Sequence, residues 1–301
     1  MTRWPPDSER PSPIFQKEKP RSMKRIDLHV HTTTSDGTYR PAEIVSLAAG
    51  LGLSAVAITD HDTAAGYREA AEAGVRFGLE VVPGIEISTT YFGAVHILGY
   101  FIDPESDALR SVLDWVVKDR DERNQKMADL MAADGLPIRY EEMRQRFGTV
   151  IGRPHFGELL VELGYAKDMQ DAFDHYIEKG QKYYLPRHFL SIEESIEIIG
   201  KAGGVPVLAH PFQYRLGDER LRLLIEHCIE HGLKGMECLY SLYDEEQSAY
   251  LLKLAAEYGL TPTGGSDFHG NNKPHISLGT GTGSLAVPYE YLDRLRELAG
   301  K

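Results

Sequence analysis

Eight side chains of the kinds that bind divalent metal ions fall in or just after short apolar runs of this sequence, His29, His31, His61, Glu86, His96, His210, Asp267 and His269, and a ninth, Asp36, lies in the loop after the first run. Imidazole nitrogen and carboxylate oxygen without thiolate suit Zn2+, Mn2+ or Fe2+ in a reactive site better than a structural zinc cluster. Nine ligands, some of them carboxylates able to bridge, suffice for two or three ions. Ions grouped in this way stabilise the attacking and leaving oxygens of a phosphoryl displacement and lower the pKa of a bound water, so hydrolysis is the expected reaction class. Each piece alone has a plainer account. A strand His-x-His can be a pair of hydrogen-bonded core residues; Asp60-His61-Asp62 reads equally as a polar turn, Glu86 as a buried acid satisfied by backbone donors, and Asp267-x-His269 as loop chemistry among glycines. The conjunction favours one shared site.

Something must bring these residues together. Ile26 to His31 alternates with period two, with Asp27, His29 and His31 on one parity. Pro41 opens a helix that Gly52 closes. Strand signals follow at Leu53 to Thr59, Leu79 to Val82, Gly84 to Ser88 and Ala94 to Phe101, with an alanine-rich helix from Ala64 to Phe77. From about Asp103 to Leu190 the chain is helical in character, with a long charged helix near Ser106 to Ala133 and shorter ones near Tyr140, Pro154 and Asp168. Alternation resumes with the capping box Ser191-Ile-Glu-Glu194. Strands at Val205 to Ala209, Lys234 to Leu239 and near Thr261 then alternate with helices, the last near Tyr289 to Leu298. Repeated strand-then-helix units imply parallel strands. Roughly seven such strands fit a closed or nearly closed barrel better than the alternative, an open doubly wound sheet, and a barrel gathers its strand carboxyl ends at one mouth. The expected organisation is a disordered tail (1–22), a barrel (23–103 and 191–301) and a helical insertion (104–190) that covers the mouth as a lid.

The chain has 301 residues, 33 basic and 45 acidic, for a net charge of −12. That balance excludes coating of long nucleic acid or an anionic membrane by bulk charge. Two cysteines, Cys228 and Cys238, form no C-x-x-C pair, which suits a reducing compartment. Residues 1–22 hold no apolar core of a signal peptide, Met23 offers an alternative start, and no apolar run approaches the roughly 18 residues of a membrane helix. The expectation is a soluble cytoplasmic protein; its oligomeric state is left open.

The segments His29-Val-His31-Thr-Thr-Thr-Ser-Asp36-Gly, Ile58-Thr-Asp60-His61-Asp62-Thr63, Pro83-Gly-Ile-Glu86-Ile-Ser88, His96, Ala209-His210-Pro211 and Ser266-Asp267-Phe-His269 resemble, in order, the motifs of the polymerase and histidinol phosphatase (PHP) family. The resemblance implies an α/β fold, a distorted (β/α)7 TIM-like barrel with a helical insertion, holding three metals. One ion would take His29, His31, Glu86 and Asp267; a second would share Glu86 and take His96 and His210; a third would take Asp36, His61 and His269. An ion-activated hydroxide would be the nucleophile, with no separate side-chain general base. The insertion and Gly152-Arg153-Pro154-His155-Phe156 resemble the stand-alone enzymes that remove the 3′-phosphate of nucleoside 3′,5′-bisphosphates such as adenosine 3′,5′-bisphosphate. Some relatives of that group are 5′ to 3′ exonucleases on short oligonucleotides. Arg153 offers a bidentate fork to a phosphate and His155 a second donor, against the plainer account of Arg153 as a helix-start residue in a surface ion pair. The partner is then a small phosphorylated substrate, a nucleotide or short oligonucleotide. Three alternatives stand beside this reading. One is a histidinol-phosphate or other small phosphomonoester phosphatase, against which the long insertion speaks. Another is an amidohydrolase-type hydrolase, where Glu86 would replace the usual modified lysine. The third is a non-catalytic metal-bound accessory module, disfavoured by the complete ligand set.

His227 and His231 sit four apart beside Glu226 and Glu230, a spacing that can bind metal, but their place late on a helix predicts a solvated face. His175, His188 and His275 have no comparable company. Tyr183, Tyr184 and Phe189 can stack a base, although packing within the insertion is the default expectation.

Overall fold

The structure, a computed structural model, describes residues 24–91, 93–148 and 151–301; the tail expected at 1–22 lies outside them. Three strands, β1 (Arg25–Asp27), β2 (Ala55–Ile58) and β3 (Glu80–Tyr91), pair in parallel, with Ile26 opposite Ala55 and Val56 opposite Val81. The runs at 79–82 and 84–88, expected as separate strands, belong to this single β3. β4 (Gly93–Tyr100) runs back antiparallel on β3, placing Ser88 opposite His96. This departs from the all-parallel expectation because the two strands are joined directly, and a parallel pair needs a long crossover. β5 (Val205–Leu208) pairs antiparallel with β4, and β6 (Gly235–Tyr240) and β7 (Thr261–Gly265) continue in parallel. A short β8 (Val287–Pro288) pairs antiparallel with β1.

Backbone bonds between the β7 end and the chain just after β1 close the ring. Leu28 N–H donates to Gly264 O at 3.3 Å, Asp267 N–H to His29 O at 2.8 Å and His31 N–H to Phe268 O at 3.0 Å. A Cβ at Gly265 would strike the backbone of His29, so this seam needs glycine. The outcome is a nearly closed eight-stranded α/β barrel, not the open sheet.

The covering helices begin and end where local chemistry dictates. α1 (Pro41–Gly50) starts on its proline, and α2 (Tyr67–Phe77) ends at Gly78 in the left-handed region, φ 67°. The insertion carries α3 (Asp107–Ala133), α4 (Tyr140–Phe147), α5 (Arg153–Glu162) and α6 (Met169–Ala172), followed by a π-helical turn at Phe173–Ile177. α7 (Ile192–Lys201) opens on the expected capping box, with Glu194 N–H donating to Ser191 Oγ at 3.2 Å and Ser191 N–H to Glu194 Oε2 at 2.8 Å. α8 (Asp218–Glu230), α9 (Glu245–Glu257) and α10 (Tyr289–Leu298) complete the chain.

Two apolar clusters matter for the mouth. One packs Ile85, Ile97 and Met236 of the barrel against Ile199, Leu224 and Leu251 of the helices. The other, Met127, Ile138, Phe156, Leu160, Ile177 and Tyr183, is the insertion's own core. α3 serves both, because Leu109, Leu113 and Val116 join the first cluster while Met127 and Met131 join the second. The turns between those anchors carry Arg120 and Arg123, and packing at both ends fixes where the two arginines stand. Cys228 and Cys238 are buried and unbonded. Among the described residues no helix is long and apolar enough to cross a membrane.

Candidate metal centre and active site

All nine predicted ligands meet at one end of the barrel, in overlapping groups whose ligand atoms lie within 4.8 Å of one another. Glu86, fully buried on β3, is at the centre. Its Oε1 is 2.8 Å from His96 Nδ1 and 2.9 Å from His210 Nε2. Its Oε2 lies 3.2 Å from His29 Nε2, 3.1 Å from His31 Nε2 and 3.2 Å from His61 Nδ1. Asp267 Oδ1 stands 3.3 Å from His31 Nε2 and 3.3 Å from His269 Nδ1. Asp36 Oδ1 is 3.3 Å from His269 Nε2, and its Oδ2 is 4.0 Å from His61 Nε2.

Strand ends and sharp turns after them aim these groups inward. His210 has φ 22° and Asp267 φ 56°, left-handed backbone that costs about 1–2 kcal/mol for a residue with a Cβ. Neighbouring bonds hold both turns: His210 N–H donates to Glu237 Oε2 at 2.8 Å, and Asp267 N–H to His29 O. Glu237 Oε1 also lies 3.0 Å from His29 Nδ1, which turns Nε2 of that ring toward Glu86. Asp60 orders the loop that carries Asp36, accepting from Thr32 N–H at 2.7 Å and Ser35 Oγ at 2.6 Å. Tyr240 Oη and Lys273 Nζ both donate to Asp267 Oδ2 at 2.6 Å, leaving Oδ1 for the cluster.

The electrostatics are those of a cation site. Burial opposes charge on His29, yet Glu237, Glu86 and Asp267 hold its pKa well above the ordinary histidine value. Burial is likewise outweighed at His31, raised to about 9 by Asp267 and Glu86, whereas burial dominates at His61 and pushes it down to about 3. Glu86, Asp267 and Asp36 lie well below the usual carboxylate range: burial raises them, but the imidazoles, and Lys273 for Asp267, prevail. His31 Nδ1, His61 Nδ1, His210 Nδ1 and Glu86 Oε2 are buried without a hydrogen-bond partner, each at a cost of roughly 1–3 kcal/mol. Divalent ions would satisfy these donor atoms and balance the carboxylates, so the residues present fit a cluster of them.

A cavity of about 240 Å³ opens over Asp36, His61, Ser88 and His96, and the insertion roofs it with Arg120, Arg123, Arg153 and Arg187. Asp62 Oδ2 accepts from Arg120 and, at 3.3 Å, from Arg187. Arg123 has its Nε buried and unpartnered and points Nη1 at the Met127 sulfur, 3.4 Å away. Burial and the facing Arg187, Arg153 and Arg120 lower Arg123 to about 10; burial is also the main cause at Arg187, lowered to about 10 despite Asp62. Both stay protonated at neutral pH. Four crowded guanidinium groups repel one another, and an anion among them relieves that repulsion. Arg153 lines the cavity and also pairs with Glu178 Oε1 at 3.0 Å. His155, expected as a second phosphate donor, is buried and does not line the cavity, its Nδ1 accepting from Gly152 N–H at 2.9 Å. Tyr184 and Phe189 line the cavity, while Tyr183 packs in the insertion core.

Glu237, Asp62, Lys273, Arg120, Arg123 and Arg187 were not singled out as site residues from the sequence. For Glu237 a usable signal existed, an acid inside the apolar run Gly235 to Tyr240. Glu237→Gln, which leaves His29 without its carboxylate partner, is expected to weaken metal retention by about 10- to 100-fold. Metal content after graded chelator dialysis checks this, with an unchanged circular dichroism spectrum showing the fold intact; undiminished retention would make Glu237 a purely structural acid.

Known proteins resemble this chain. Residues 27–185 match the PHP domain family. A 5′-3′ exoribonuclease Rnm of Salmonella typhimurium is 36% identical over 257 residues, spanning 84% of this chain and 87% of that protein. A 3′,5′-nucleoside bisphosphate phosphatase of Chromobacterium violaceum is 34% identical over 250 residues, 82% of this chain and 88% of that protein. A Bifidobacterium adolescentis structure, described as a metal-dependent phosphoesterase, superposes with TM-score 0.79 at 34% identity over 92% of this chain and 99% of that one. With the family match over more than half its length and relatives this similar along most of the rest, the chain belongs to the PHP domain family.

Proposed function

We propose that this chain is a metal-dependent phosphoesterase that removes the 3′-phosphoryl group of nucleoside 3′,5′-bisphosphates and, on the same geometry, the first nucleotide of short 5′-phosphorylated oligonucleotides. The observation that carries the reading is that four insertion arginines share one small cavity with Asp36, His61 and His96, three members of the nine-residue ligand cluster. Both substrates present what such a cavity needs: a 5′-phosphate for the arginines and, one ribose away, a 3′-phosphoryl group for the ions. The relatives' names, a 5′-3′ exoribonuclease and a 3′,5′-nucleoside bisphosphate phosphatase, support this reading.

Three divalent ions, Mn2+, Zn2+ or Fe2+, would be held by His29, His31, Glu86 and Asp267, by Glu86, His96 and His210, and by Asp36, His61 and His269. When bound they would supply an activated water and charge neutralisation at phosphorus. The chain's own residues do the rest. Arg120, Arg123, Arg153 and Arg187 bind the 5′-phosphate and so fix the distance to the ligand cluster. Asp62 orients two of those arginines, His155 holds the Gly152–Arg153 turn, and Tyr184 and Phe189 offer ring faces to a base. The helical block at 104–190 serves as the lid that carries the arginines. Two buried, unbonded cysteines support a reducing, cytoplasmic setting.

Phosphate release should be measured with adenosine 3′,5′-bisphosphate, a 5′-phosphorylated trinucleotide and histidinol phosphate, with added Mn2+. Turnover of the first two and little of the third is expected; preference for histidinol phosphate would overturn the assignment.

A further inference from the structure

A second cluster of metal-ligating side chains shares no residue with the nine. Glu193, in the first turn of α7, reaches His227 on α8 and His231 just past that helix's end; the ligand atoms of all three lie within 4.8 Å of one another. His227 Nε2 is 2.7 Å from Glu193 Oε1. The rings of His227 and His231 meet edge to face with centroids 4.9 Å apart, and Tyr91 stacks on His227 at 5.6 Å and 23°. The sequence predicted a solvated helix face here. His227 is instead half-buried, because α7 packs beside α8 and brings an acid the histidine spacing could not announce.

From this geometry we infer that Glu193, His227 and His231 form a peripheral site for one borderline divalent transition ion, Zn2+ being the physiological candidate. Two imidazoles and a carboxylate prefer Zn2+ over Mg2+ or Ca2+, and Irving–Williams ordering places Zn2+ above Mn2+ at such ligands. Three protein ligands with solvent in the fourth position is ordinary Zn2+ coordination. The ligands are positioned in advance. His231, the cap residue four positions after His227, keeps its ring beside that of His227, and Ile192, Ile196 and Ile199 of α7 share one apolar core with Leu224, Ile225 and Cys228 of α8. The tethering of Glu193 to the histidines therefore costs little additional order.

The consequence is mechanical. An ion there joins the start of α7 to the end of α8, the helices on either side of β5, and His210 follows β5 into the metal centre. Tyr91, on His227, belongs to the far end of the strand that carries Glu86. The site is a clip between α7 and α8, outside the reaction itself.

The test uses the full-length enzyme, without an affinity tag and with its centre loaded with Mn2+, dialysed against low-micromolar free Zn2+. The wild type should retain one more Zn2+ per chain than His231→Ala, whose affinity at this site should fall by at least about tenfold. Zn2+ should raise the wild-type Tm by several degrees more than that of the variant. His231 is exposed, so the variant should fold, and phosphate release at the wild-type rate will show that the centre is intact. Glu193→Gln should behave as His231→Ala does. Equal Zn2+ content and equal Tm shifts in wild type and both variants would overturn the proposal and leave an ordinary Glu–His ion pair.

Discussion

Glu86→Ala is expected to lower phosphate release by at least about 10³-fold, roughly 4 kcal/mol of transition-state stabilisation, in a protein that still folds. Among the described residues Glu86 is the one acid whose two oxygens face five imidazoles, those of His29, His31, His61, His96 and His210, all within 3.2 Å. No other described carboxylate reaches all five, so its loss should deplete at least two ion positions together. The fold should survive because the barrel strands and their apolar clusters do not depend on this carboxylate. The checks are kcat, metal content by elemental analysis, and the thermal melt. Glu86→Gln keeps the shape while removing the charge; retention of metal and activity in either variant would show that the centre does not run through Glu86.

The second large effect is on substrate choice. Arg123→Met keeps the aliphatic length that packs near Met127 but removes the guanidinium whose Nε has no partner. Losing one charge-assisted contact to phosphate costs about 1.5–3 kcal/mol, so kcat/KM for adenosine 3′,5′-bisphosphate should fall about 10- to 100-fold. Adenosine 3′-monophosphate, which has no 5′-phosphate to place there, should be hydrolysed at nearly the wild-type rate. The wild-type preference for the bisphosphate should therefore shrink in the variant. An equal loss on both substrates would place Arg123 in the chemistry at phosphorus and overturn its assignment to the 5′-phosphate.

Much of the candidate metal centre was legible because its residues follow strand runs whose ends a barrel must gather. His29, His31, His61, Glu86, His96, His210, Asp267 and His269 each have a local signature of an apolar run that breaks into a ligand. The strand limits were less legible. Ile26 to His31 alternates throughout, yet β1 stops at Asp27 and the rest crosses to pair with the end of β7. The antiparallel β4 could not be inferred from alternation with helices, since only the missing crossover after β3 specifies its direction.

The arginines show the opposite case. Arg120 and Arg123 lie in a helix so rich in charge that its sequence describes any solvated face. They come to line the cavity over the ligand cluster because Leu109 to Val116 dock on the barrel while Met127 and Met131 dock in the insertion, which holds the turns between them over the mouth. Glu193 reaches His227 for a similar reason, the packing of α7 on α8. The sequence by itself determined which atoms are available to hold ions and that a barrel collects them, because strand period and ligand type are local properties. Only the tertiary structure decided which cations face that centre and which acids turn its imidazoles, because those depend on side chains from elements distant in sequence being packed within a few ångströms.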